Sequence, residues 1–118
     1  MQLRSLFLIL PLAMPLSAIA ECTRDKPPAI PDGSTVTEAE LVTTQQALKG
    51  YMATNAAYRD CLDKEALAAA PAKGEKPSKE QKALDKARTD AYNVSVDEEA
   101  ATAAAFNDSV KAWKAQKK

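Results

Sequence analysis

Pro71-Ala72-Lys73-Gly74-Glu75-Lys76-Pro77-Ser78-Lys79-Glu80-Gln81 is the stretch that decides how this chain folds. Two prolines and a glycine in a short polar run stop a helix, and Ser78 with Gln81 three positions later starts another. The segment therefore reads as a connection between two helices.

On its N-terminal side, Thr37-Glu38-Ala39-Glu40 has capping-box spacing, with the Thr37 hydroxyl placed for an orphan amide and Glu40 for the reciprocal bond. Leu41, Leu48, Met52, Asn55, Tyr58 and Leu62 then recur at threes, fours and sevens, which gives one stripe along a helix to about Ala69. Gly50 weakens it slightly. On the C-terminal side the set Leu84, Ala91, Tyr92, Val96, Ala103, Phe106, Val110 and Trp113 predicts a helix from Ser78 to about Lys114. Asn93-Val94-Ser95-Val96-Asp97 is poor in helix formers, and Ser95 with Glu98 is spaced to cap a new helix. No Gly or Pro interrupts there, so continuity, or at most a kink, is expected.

The fold class is all-α: two long antiparallel helices over about 37–69 and 78–114, forming a coiled-coil-like hairpin. At about 1.5 Å per residue they would measure about 50 and 55 Å. Two alanine-rich helices bury only one stripe each, and a third layer is needed.

Residues 21–36 supply a candidate. Pro27, Pro28 and Pro31 block helix and favour an extended path that ends in a turn at Asp32-Gly33. The helix from Thr37 to Cys61 would rise about 36 Å, and the chain from Cys22 to Thr37 can reach about 46 Å in polyproline geometry. The segment can therefore run back along the first helix, bring Cys22 to Cys61, and lay Pro28, Ile30 and Pro31 over the hairpin. An intrachain Cys22–Cys61 disulfide is expected. An intermolecular bridge and a redox-active thiol compete with it, and the absence of Cys-x-x-Cys spacing argues against the second.

Before that segment, Arg4, the apolar run Leu6 to Leu16 and the triplet Ala18-Ile19-Ala20 read as a secretory signal peptide over residues 1–20. It is too short to span a bilayer, and Glu21 before Cys22 does not fit a lipoprotein signal. The expectation is an exported periplasmic protein with no stable membrane anchor after cleavage. Without Arg4, fifteen of the sixteen basic residues face sixteen acidic ones, a net charge near minus one. No nucleic-acid-binding field is implied, and the size suits one domain.

Histidine is absent, which removes the usual general base and transition-metal ligand. No catalytic residue, metal site or cofactor is assigned, and the chain is expected not to be an enzyme. Asp97-Glu98-Glu99, with Asp108, is the densest acidic group, but successive helical residues point about 100 degrees apart, so these carboxylates read as helix-start or solvated-face charges. Arg59, Asp60, Asp63 and Lys64 around Cys61 read as surface ion pairs. Two residues are interaction candidates. Asn55 sits on the apolar stripe, where a buried Asn sets register or partner number more often than it meets a ligand. Trp113, among Lys111, Lys114, Lys117 and Lys118, could meet an anionic surface, although basic residues suit a helix C-terminus without any partner.

Cys22-Thr23-Arg24, Ile30-Pro31-Asp32-Gly33 and Tyr58-Arg59-Asp60-Cys61-Leu62 together resemble a group of small exported proteobacterial proteins of unknown function. The likeness covers most of the chain after the signal. It implies a cysteine-tethered helical hairpin and carries no activity. The expected role is a non-enzymatic protein- or envelope-interaction module, with an unknown protein partner or a homodimer. A chaperone-like or stress-protective helical protein is the alternative, ahead of a carboxylate-based enzyme.

Overall fold

The structure, a computed structural model, describes residues 22–117. The signal-peptide reading falls on residues 1–20 and lies outside them. Among the described residues there are two helices and no strand: α1, Glu38–Ala68, and α2, Lys79–Gln116.

Both helices start where side chains replace missing backbone partners. Thr37 Oγ1 accepts from the Glu40 amide at 3.2 Å while the Glu40 carboxylate accepts from the Thr37 amide at 2.8 Å. Ser78 and Gln81 repeat the exchange at 3.1 and 2.7 Å. Each cap stabilises its helix by about 1 kcal/mol. The connection turns through Gly74, whose φ of +87° favours glycine. α2 is unbroken through residues 93–97. Ser95 is wholly buried there and its hydroxyl donates to the Tyr92 carbonyl at 2.8 Å, so packing overrides weak local propensity.

The helices run antiparallel, since Lys117 faces Glu38 at one end and Arg88 faces Glu65 near the turn. α1 buries Leu41, Leu48, Asn55 and Leu62 at a strict spacing of seven, with Tyr51 between them. α2 answers with Ser95, Thr102 and Ser109, also spaced by seven. That repeat is the left-handed coiled-coil period. Leucines from one helix thus press on a seam of small hydroxyl residues on the other. The seam hides no unpaired hydroxyl, because Thr102 bonds back to the Glu98 carbonyl at 2.7 Å and Ser109 donates to the Pro31 carbonyl at 2.7 Å.

This register corrects the expected stripes. On α1 Tyr51 is 4% exposed and Met52 is 40% exposed. On α2 Leu84 and Val96 are more than two-fifths exposed, and the buried line is the polar one. Tyr92, Val96, Ala103 and Val110, at steps of four, seven and seven, share a face beside that line.

Residues 22–36 form an extended strap fixed at several points. Cys22 is disulfide-bonded to Cys61, Arg24 pairs with Glu98 at 2.8 Å, Ser109 holds Pro31, and the Gln116 side-chain amide donates to the Gly33 carbonyl. Asp32 closes the turn before α1 by accepting from the Ser34 amide and hydroxyl at 2.8 and 2.7 Å. Gly33 is buried so tightly on α2 that an added Cβ would overlap the Ser109 carbonyl and sit 2.8 Å from the Ala112 Cβ. Val36, 7% exposed, completes the core. The strap contacts of α2, at Glu98, Ser109, Ala112 and Gln116, occupy one side of that helix. Tyr92, Val96, Ala103 and Val110 occupy the other.

Candidate functional site

Among the described residues, two regions are the most developed gatherings of side chains with chemistry or exposed apolar surface. The first is a polar network between the helices. Asn55 has no exposed surface, and its amide donates to the Ser95 carbonyl at 2.9 Å and to Glu99 Oε2 at 2.8 Å. Arg59 reaches the same carboxylate oxygen at 2.8 Å. One heptad thus presents α1's amide and guanidinium to a single carboxylate on α2. The Arg59 guanidinium, followed by the Asn55 amide, holds the Glu99 carboxyl below the usual glutamate range against the opposing effect of burial. Beside it, burial pushes the Tyr51 phenol up, reinforced by the Glu98 carboxylate. The Tyr51 hydroxyl is buried without a hydrogen-bond partner.

The acidic cluster divides: Asp97 and Asp108 are solvated charges as expected, while Glu98 and Glu99 turn to partners within the fold. Asp97 is exposed, Glu98 turns to the strap through Arg24, and Glu99 turns between the helices to Asn55 and Arg59. Arg59 likewise crosses to α2, whereas Asp60 and Lys64 make the surface pair expected of their spacing, at 2.7 Å. Each inward carboxylate has a basic partner, so the network fixes register and docks the strap. Glu65 brings a carboxylate oxygen within 4.8 Å of the sulfurs of Cys22 and Cys61. Sulfurs joined in a disulfide carry no thiolate charge, and the trio is no cation site in this form.

The second region is a groove of about 630 Å³ near the turn, on the face away from the strap. Leu62, Ala66 and Leu67 of α1 and Thr89 and Tyr92 of α2 line it, with Asp63 and Asp85 at its edge. Leu67 is 78% exposed. Arg88 is drawn toward Asp85 at 2.9 Å and Glu65 at 3.8 Å, leaving the groove centre apolar.

The two expected interaction residues are far apart. Asn55 is enclosed in the network. Trp113 is half-buried near the end of α2, with the Lys117 ammonium 4.1 Å from its ring centre. Lys117 also faces Glu38 at 3.8 Å, so this cation serves the hairpin's own ends. Sequence reading missed Glu99, Arg24 and the groove. Only the four-residue spacing of Asn55 and Arg59 hinted that α1 shows a polar pair to one partner.

No family model matches the chain, and no match was found among the curated proteins or the solved structures. Among the described residues no helix is long and apolar enough to cross a membrane.

Proposed function

We propose that this chain is a non-enzymatic interaction module, exported to the bacterial periplasm, that recognises another protein through the hairpin face opposite the strap. One observation carries the reading: the inward charged groups Arg24, Arg59, Glu98 and Glu99 are paired within the fold, holding hairpin and strap together, while an apolar groove at the 78% exposed Leu67 is left uncovered. Contiguous exposed apolar surface on a small domain marks an interaction site. The disulfide suits an oxidising compartment, and the resemblance to small exported proteobacterial proteins points the same way.

A photo-crosslinking side chain placed at position 67 or 96 in cells should give protein adducts. The same group at exposed Ala57, beside the strap's Cys22, should give none. Equal adducts at all three positions, or none at 67 and 96, would refute the assignment of this face.

A further inference from the structure

The face opposite the strap carries a charge pattern with a single midpoint. On α1, Lys49 and Asp63 lie seven residues either side of Ala56, and all three are exposed on one sector with Met52 and Leu67. On α2, Asp85 and Lys114 are equidistant from the junction of Glu99 and Ala100, on the sector of Tyr92, Val96 and Val110. The two midpoints stand at the same height in the hairpin, because Asn55 and Arg59, which bracket Ala56, both bond Glu99. One axis thus serves both helices. The anions lie toward the turn and the lysines toward the other end.

We propose that the partner is a second copy of this chain, docked face to face and antiparallel about a two-fold axis in the interface at Ala56 and Glu99. This rests on the reading of the open face as a recognition surface and names its occupant. The operation puts Lys49 of each copy opposite Asp63 of the other, and Lys114 opposite Asp85. It also sets Val96 against Ala103 and brings Val110 and Phe106 of one copy to Thr89 and Tyr92 of the other, filling the groove of about 630 Å³. A two-fold axis along the helices would instead gather both copies' Asp63 and Asp85 at one end, where like charges repel. From Asp85 to Lys114 the face is about 44 Å long and two helices wide, roughly 18 Å, so each copy covers on the order of 800 Å², the size of a stable protein interface. The product is an antiparallel four-helix bundle with a strap on each outer face.

Sedimentation equilibrium of the purified protein tests this with charge-reversed variants at these exposed positions. Wild type should sediment at twice the chain mass at tens of micromolar. K49D/K114D and D63K/D85K should each self-associate at least about a hundredfold more weakly, because every cross-copy pair becomes repulsive. Mixed in equal amounts they should regain the twofold mass, since every aspartate at these positions in one variant then meets a lysine of the other across the axis. Circular dichroism of each variant confirms its helices. A monomeric wild type, a dimer unchanged in both variants, or folded variants that fail to pair on mixing would overturn the proposal. Adducts from position 67 to a different protein, with wild type monomeric, would overturn the second copy while leaving the recognition face standing.

Discussion

Replacing Glu99 with Ala removes the carboxylate that Asn55 and Arg59 share. The Asn55 amide has no exposed surface, and the Arg59 and Glu99 side chains are 18% and 19% exposed, so water reaches the pair only from one side. Hydrogen bonds to charged groups contribute about 1.5–3 kcal/mol each, and removing one partner of a buried charge pair costs about 3–5 kcal/mol. Taking the lower part of that range for a partly screened pair, E99A should lose about 3 kcal/mol. That is a large share of a small domain's total of roughly 5–15 kcal/mol. Glu99→Gln keeps an acceptor oxygen without the charge and should lose about half as much. Urea unfolding at neutral pH, followed by circular dichroism, reads both values. A loss under about 1 kcal/mol for E99A would refute the reasoning and mean that the leucine seam alone holds the helices in register.

Three further outcomes are expected. Gly33→Ala should destabilise by about 1–3 kcal/mol, because its methyl overlaps the Ser109 carbonyl, whereas Gly50→Ala, with open space around it, should stabilise by about 0.5–1 kcal/mol; thermal melts of the two variants should move in opposite directions. The Glu99 carboxyl titrates lower in the folded chain than in the unfolded one, so the pair's contribution is full above the unfolded value, about 4.3, and disappears as pH falls through the folded value. Glu99→Gln should flatten stability against pH in that acid window, and an unchanged slope would contradict it. Tyr51→Phe removes a buried hydroxyl that has no hydrogen-bond partner and should stabilise by about 1 kcal/mol; because the Tyr51 phenol is raised, it should also reduce the stability lost as pH climbs above about 10.

The all-helical hairpin and its cysteine tether were legible because their determinants are local or depend on chain length. Two capping boxes mark the helix starts, Pro71, Gly74 and Pro77 lie in the connection, and a simple reach estimate brings Cys22 to Cys61. What stayed hidden depends on how one helix is rotated against the other. Hydrophobicity pointed to Met52 and Val96, yet Tyr51 and the Ser95, Thr102 and Ser109 seam face inward. Small hydroxyl residues that bond their own helix or the strap pack like alanines, and a hydropathy pattern cannot mark them. Asn55 was readable as a buried register residue, but its partner Glu99, forty-four positions away, follows from helix register rather than spacing. Gly33 lies in the turn that its sequence marks, but the further demand on it, space against α2, has no local signal. The apolar set on α2 was real, but part of it describes the open face rather than the seam between helices.

The strap's role as third layer is tested most directly by the unfolding free energy of the protein measured with the Cys22–Cys61 bond intact and after reduction by a phosphine. The bond closes a loop across 39 positions, which on chain entropy stabilises by about 4 kcal/mol. A difference near that value, with both forms helical, is expected. Equal stability of the oxidised and reduced protein would contradict the stapled strap.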